Sequence, residues 1–197
     1  MSFALGLTGS IGMGKSTTAQ IFVDEGCALW DADEAVHRLY SREGAAVEPM
    51  QAAFPDAIVE GTVSRDVLKQ IIAQDPTALK QIEAIVHPLV ATDRAAFREQ
   101  TKADILVFDI PLLFETGGDA AMDAVACVSV PADEQKRRVM ERGTMTEAQF
   151  EQIRAKQMPN DEKCARSDYV IVTDTLDHAR AQVQDVVRQI RAGMADA

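Results

Sequence analysis

The chain has 197 residues, 47% hydrophobic and 26% charged, and its 20 basic and 31 acidic side chains give a formal net charge of −11. That length and composition fit a soluble globular protein with one sizeable core. The acidic balance argues against a nucleic-acid-binding surface, no apolar run approaches the roughly 18 residues of a membrane span, and the first residues do not read as a signal segment. A cytoplasmic protein without nucleic-acid or membrane partners is therefore expected, while its oligomeric state is not legible. Cys27, Cys127 and Cys164 form no C-x-x-C pair, so they suggest neither a disulfide framework nor a zinc site.

In chain order, residues 3–8 form a short apolar run suited to a buried strand. Gly9-Ser10-Ile11-Gly12-Met13-Gly14-Lys15-Ser16 then fits the phosphate-binding pattern G-x-x-x-x-G-K-[ST] without a mismatch. A helix is expected from about Lys15 to Asp24 or Glu25, with Gly26 placed to end it. In a strand–loop–helix unit of this kind, glycines let successive backbone N–H groups turn inward around phosphate oxygens, and the helix dipole adds to the attraction. Lys15 would reach the β and γ phosphates of a nucleoside triphosphate and Ser16 would hold Mg²⁺. Gly9, Gly12, Met13, Gly14 and Thr17 complete this candidate nucleotide set.

Cys27-Ala28-Leu29-Trp30 reads as a strand that ends at Asp31-Ala32-Asp33. Ligands of open parallel sheets bind beyond the carboxyl ends of the strands, which makes this acidic pair a candidate for a general base. If the extended geometry persists, Asp31 and Asp33 share a face. The alternative is that one or both cap the helix that begins near Glu34. From there to about Thr101 the pattern is helical: Ser64 caps one helix, Asp75-Pro76 opens another, and His87-Pro88 interrupts it before a third. So long a helical insertion between two strands reads as a subdomain, residues 31–101, for a substrate.

Ile105-Leu106-Val107-Phe108-Asp109 is a continuous β-rich run ending in an acid, the form of a Walker-B strand, and Asp109 is a second candidate for orienting Mg²⁺. Pro111-Leu112-Leu113-Phe114-Glu115 follows, and residues 124–130 make another buried strand. Residues 136–166 then hold eight Lys and Arg against five Asp and Glu, a positive island in an acidic chain unless it is an ordinary solvated face. Its first helix, from about Ala132 to Glu141, carries Arg138 and places Arg142 four residues on; Thr146 and Gln149 have capping-box spacing for a second. Hinged at Gly143 and Pro159, these helices suit a lid. Tyr169-Val170-Ile171-Val172 closes the sheet and a last amphipathic helix covers it.

Together, the phosphate loop with Thr17, the D-A-D segment, His87-Pro88, Pro111-Leu112-Leu113-Phe114-Glu115, Gln135-Lys136-Arg137-Arg138 with Arg142, and Gln157 resemble the dephospho-coenzyme A kinase family, relatives of the nucleoside monophosphate kinases. The resemblance implies an α/β P-loop NTPase fold: a three-layer sandwich with a parallel five-stranded sheet (residues 1–30, 102–135 and 167–197), a helical insertion that receives the coenzyme A precursor, and a small helical lid (136–166). It implies transfer of the ATP γ-phosphoryl to the ribose 3′-hydroxyl of dephospho-coenzyme A, with Mg²⁺. On it, Asp33, Lys15 and Arg138 are catalytic, Arg142 binds nucleotide, and Asp31, Arg65, His87 and Glu115 meet the acceptor. Val172-Thr173-Asp174-Thr175 departs from the family's usual turn after the last strand, so no adenine contact is carried over. Another small-molecule kinase of this fold and a regulatory P-loop switch are the rival readings.

Overall fold

The computed structural model describes residues 2–196 and divides them into two units: residues up to Leu29 with those from Thr101 onward, and Trp30–Gln100. In chain order the elements are β1 (Phe3–Thr8), α1 (Lys15–Asp24), β2 (Ala28–Asp31), α2 (Ala32–Tyr40), α3 (Val47–Ala53), β3 (Ile58–Val59), β4 (Thr62–Val63), α4 (Arg65–Gln74) and α5 (Ala78–Gln100). There follow β5 (Ile105–Asp109), β6 (Ala124–Ser129), α6 (Ala132–Glu141), α7 (Glu147–Lys156), α8 (Asn160–Arg166), β7 (Tyr169–Val172) and α9 (Leu176–Ala195).

The main sheet has the order β2-β5-β1-β6-β7. Its pairings β1–β5, β1–β6 and β6–β7 are all parallel, with Leu7 opposite Asp109 and Ala126 opposite Tyr169. The strands are nearly continuous apolar runs because both faces are covered, as parallel sheets require. On one face Ile21 and Phe22 of α1 and Val183, Val186, Val187 and Ile190 of α9 pack over Leu5, Leu7, Val107 and Val128. Leu113, Phe114 and Val125 form a smaller core with Met122 and Met158. β1 lies between a β5 side and a β6 side, so the strand order reverses at its carboxyl end, where open α/β sheets form their crevice.

α1 ends where the sequence places its stop. Gly26 (φ 87°) donates its N–H to the Val23 carbonyl and Cys27 donates to Phe22, the paired bonds of a Schellman motif. Among the described residues no helix is long and apolar enough to cross a membrane.

Three local expectations are corrected in Trp30–Gln100. Pro88 does not interrupt its helix: α5 runs through it for 23 residues, with Ala78, Ile82 and Val86 buried. One missing N–H is outweighed by an apolar stripe on both sides of the proline. A hairpin, β3–β4, stands where only helix was expected; Glu60 (φ 50°) and Gly61 (φ 79°) make the two-residue turn whose positive dihedrals match the twist of paired strands. The extended geometry does not persist past Asp31. Its carboxylate accepts the N–H groups of Asp33 (2.8 Å) and Glu34 (3.0 Å) and caps α2, which puts Asp33 in the first helical turn rather than on a shared strand face. The unit's core is Leu39, Met50, Val63, Leu68, Ile82 and Val86.

Gly26 has room for a Cβ, whose nearest neighbour would be an Arg191 guanidinium nitrogen at 3.7 Å, so Gly26→Ala meets only the backbone cost of its left-handed φ. The substitution is expected to lower unfolding stability by about 1 kcal/mol. Urea midpoints at unchanged m-value measure it.

Candidate active site

β1 delivers the chain to a loop, residues 9–14, that turns back into α1 through two left-handed glycines, Gly12 (φ 78°) and Gly14 (φ 88°). Neither tolerates a side chain: a Cβ at Gly12 would lie 2.5 Å from Val139 Cγ2, and one at Gly14 would lie 2.9 Å from Thr173 Oγ1. Gly14 is the N-cap of α1, so the N–H groups of Lys15, Ser16 and Thr17 have no acceptor within the helix. Those donors, with the helix dipole behind them, make an anion site of backbone alone. Ser16 and Thr17 are exposed at its mouth.

The loop's outer edge is laced to four other segments. Ser10 donates its N–H to Asn160 Oδ1 (3.1 Å) and Ile11 donates to Gln157 Oε1 (3.2 Å). Gln135 Nε2 donates to the Ile11 carbonyl (2.7 Å), and the Thr173 hydroxyl donates to the Met13 carbonyl (2.6 Å). Met13 is buried and its sulfur accepts the Val130 N–H at 3.2 Å, so it anchors the loop from beneath.

Pairing of β1 with β5 brings Asp109, buried at the strand's carboxyl end, beside the loop, where it is ion-paired with Lys15. A recess of about 190 Å³ opens on the other side of the loop, lined by Gly14, Thr17, Thr18, Arg138, and Thr173 to Leu176. Arg138 spans it, with Nη2 donating to the Thr173 carbonyl (2.7 Å) and Nε held by Glu134 (2.6 Å). Side-chain hydrogen bonds from Arg137 and Arg138 hold the Glu134 carboxyl down to about 2. Arg142 is exposed just past the end of α6.

Six cations of the basic island are ion-paired: Lys136, Arg137, Arg138, Arg154, Lys163 and Arg166 meet Glu147, Glu134, Glu134, Glu151, Glu115 and Asp119 in turn. The island is thus largely neutralised by neighbouring carboxylates, Lys15 is itself paired with Asp109, and the donors the loop leaves open to an anion are backbone N–H groups.

Glu115 is engaged inside this unit. Its Oε1 accepts the Met158 N–H (2.9 Å) and pairs with the fully buried Lys163 (2.9 Å), which also donates to the Pro111 carbonyl. Partial burial alone would raise the Glu115 carboxyl, but these donors outweigh it and leave the group below its usual range.

Residues 3–178 match the profile of the family described as CoaE, dephospho-CoA kinase. The chain is 83% identical over 193 residues to a dephospho-CoA kinase of Ruegeria pomeroyi, with 98% of each chain covered. The chain belongs to the dephospho-CoA kinase family. A Thermus thermophilus protein of known crystal structure superposes with a TM-score of 0.85 at 31% identity, covering 95% of this chain and 97% of that one. A dephospho-CoA kinase from Campylobacter jejuni gives 0.71 at 22% identity over 98% and 99%, a likeness of fold.

Within Trp30–Gln100, three of the residues picked out by the dephospho-CoA kinase resemblance come together. Asp31 caps α2, Asp33 is exposed in its first turn, and Arg65 Nη2 donates to the Asp33 carbonyl (3.4 Å) while lying 5.7 Å over the Tyr40 ring. Asp93 of α5 accepts from Trp30 Nε1, just before α2, and from Arg38 in the last turn of α2, both at 2.7 Å. Burial would raise the Asp93 carboxyl, but those two bonds leave it lowered. His87 is exposed on α5.

Gln135 and Gln157 stand in family segments of the sequence without a role that spacing assigns. Asn160, Lys163 and Thr173 carry no sequence signal, because each acts on a backbone group about 50 to 160 residues away. α8 itself is short, and the Pro159 that precedes it reads as a break.

Because the folded-state pKa of Glu115 lies below its ordinary 4.5, its contribution is complete above that pH and is lost as pH falls through the lower folded value. Glu115→Gln is expected to cost roughly 3 kcal/mol near pH 7 by breaking a pair with a buried lysine, and progressively less as the pH is lowered below 4.5. A gap in urea midpoint that does not narrow as the pH is lowered through the acid range would contradict this.

Proposed function

We propose that the chain transfers the γ-phosphoryl of ATP to the ribose 3′-hydroxyl of dephospho-CoA, yielding CoA and ADP. The observation that carries this reading is the match of residues 3–178 to the dephospho-CoA kinase family, which includes the complete phosphate loop.

Phosphoryl transfer leaves a protein little covalent work, so the residues act by position and charge. The loop's donors and the N-terminus of α1 hold the β and γ phosphates. Lys15 exchanges its ion pair with Asp109 for phosphate oxygen, an exchange that leaves the Asp109 carboxylate to face the metal. Ser16 Oγ and the Asp109 carboxylate, hard oxygen donors at the mouth of the loop and beside it, would hold Mg²⁺. When bound, the ion screens the charge that the phosphates bring together.

The purine belongs in the recess lined by Arg138 and by Thr173 to Leu176, next to Gly14 and Thr17. Residues 30–100 receive dephospho-CoA through Asp31, Arg65 and His87, and Asp33 orients the attacking hydroxyl and accepts its proton. Glu115 serves the acceptor indirectly, through the Pro111 segment it steadies. Within residues 136–166, α8 is anchored by Lys163, so closure over the donor falls to the Gly143 turn and the start of α7, which carry Arg142 inward. For Arg138 to reach the transferring group, it must leave the Thr173 carbonyl.

Purified protein given ATP, Mg²⁺ and dephospho-CoA should release ADP and CoA in equal amounts, with neither formed when the acceptor is omitted. Turnover with a nucleoside monophosphate or another hydroxyl acceptor in place of dephospho-CoA, and none with dephospho-CoA itself, would overturn the assignment. Asp33→Asn should lower kcat by about 10²- to 10⁴-fold with ADP affinity retained. Arg138→Ala should lower kcat by about 10³-fold and affect affinity far less. Lost ADP binding in the Asp33 variant would point to a structural role for that carboxylate.

A further inference from the structure

Ile11 is gripped on both sides of its residue. Its N–H is taken by Gln157 Oε1 at 3.2 Å and its carbonyl by Gln135 Nε2 at 2.7 Å. The preceding N–H, that of Ser10, is taken by Asn160 Oδ1. The Asn160 amide cannot be turned round without loss, because its Nδ2 donates to Ser129 Oγ (3.1 Å) and to the Val128 carbonyl (3.4 Å). Gln135 is buried on α6, Gln157 is the C-cap of α7, and Asn160 opens α8. The segment from Gln157 to Asn160 is itself fixed: Glu115 holds the Met158 N–H, and Lys163 pins α8 to the Pro111 carbonyl.

A phosphate nest works by aiming consecutive N–H groups at one point. Two of the loop's N–H groups, those of Ser10 and Ile11, are committed here to side chains on the outer edge, while those of Lys15, Ser16 and Thr17 have no helical acceptor. We infer that Gln157, Gln135 and Asn160 are positioning residues of the nucleotide site: they hold the leading half of the loop by its peptide groups and so leave the phosphate to the donors of Lys15, Ser16 and Thr17. None of them lines the recess assigned to the purine. They remove the cost of ordering the loop when the anion arrives, which is how pre-organisation raises affinity. The inference rests on the proposed reading that this loop receives ATP, and the wild-type protein tests that reading separately.

The opposite polarity of the two bonds to Ile11 allows a test that separates positioning from bulk and from charge. At Gln157 an acceptor is needed, so Gln157→Glu keeps the bond and Gln157→Leu removes it. At Gln135 a donor is needed, so Gln135→Leu removes the bond and Gln135→Glu sets a carboxylate against a carbonyl. KM for ATP, KM for dephospho-CoA, and the Kd of ADP by calorimetry are measured near pH 8 for all four variants, with a thermal melt for each. Gln157→Leu is expected to raise KM for ATP and the Kd of ADP by about 10-fold, with KM for dephospho-CoA within about twofold of the parent. Gln157→Glu should be the milder change at its site and Gln135→Glu the harsher at its own.

The same rank order at both sites would overturn the inference, since harsher glutamates at both would mean charge alone and harsher leucines at both would mean packing alone. Equal loss of affinity for nucleotide and acceptor would overturn it as well. If a variant at buried Gln135 does not fold, the Gln157 pair decides: Gln157→Leu no weaker than Gln157→Glu in ADP binding contradicts the role. A parent protein that does not bind ADP would sink the nucleotide reading itself.

Discussion

The structure depends on one constraint: a short loop after β1 must present a set of backbone N–H groups to an anion with no side chain in the way. Left-handed dihedrals at Gly12 and Gly14 create the turn, and their neighbours forbid any other residue, since Val139 and Thr173 already occupy the space a Cβ would take. The parallel sheet supplies the frame. Leu7 opposite Asp109 sets the register that puts a carboxylate at the loop's inner side, and Met13 beneath it is packed among residues of β6 and α9. A site made of backbone is only as firm as its surroundings, which explains why α6, α7, α8 and the turn after β7 all send a polar side chain to it.

Electrostatics follows from the same constraint. A chain with a net charge of −11 that handles polyanionic substrates needs local attraction, and a patch of arginines is the obvious source in the sequence. The arginines and lysines of residues 136–166 are mostly spent on neighbouring carboxylates, however. Glu134 alone engages both Arg137 and Arg138. Exposed pairs of that kind contribute little to stability, but they hold guanidiniums in set positions and offset their charge. On the proposed reading the anion would be met by uncharged donors and by a lysine that leaves Asp109, and Arg138 becomes available only by giving up bonds it already has.

The sheet and most helix ends were legible because each rests on a local rule. Apolar runs marked β1, β5, β6 and β7, Gly26 ended α1, Ser64 capped α4, and Thr146 with Gln149 built a full capping box on α7. The phosphate loop was legible for the same reason, since its glycines are required by local dihedrals. Legibility failed where tertiary packing overrides a local rule. Pro88 reads as a break, yet α5 passes through it because the stripe from Ala78 to Val86 is buried. The β3–β4 hairpin is two residues per strand, too short for any periodicity to register. At Asp31 two local rules competed, and the cap won over the extended strand because a carboxylate that accepts two N–H groups satisfies donors the helix start would leave bare.

The candidate site divides along the same line. Residues that would act on a ligand, such as Lys15, Ser16 and Asp33, belong to motifs and could be named from sequence with a role, whereas those that act on the backbone of other residues stood there without one, as Gln135 and Gln157 did, or were not picked out, as with Asn160. Asn160 and Ser10 are 150 positions apart, and an asparagine at a helix start has a ready local explanation that hides a distant one. Yet a motif glycine fixes only what a loop is able to do. A Gly-rich segment loses more conformational freedom on ordering than any other, so the permissiveness that lets residues 9–14 form a nest also lets them leave it. Bonds to the peptide groups of Ser10, Ile11 and Met13 remove that freedom without entering the space the phosphate needs, and only residues from outside the motif can make them.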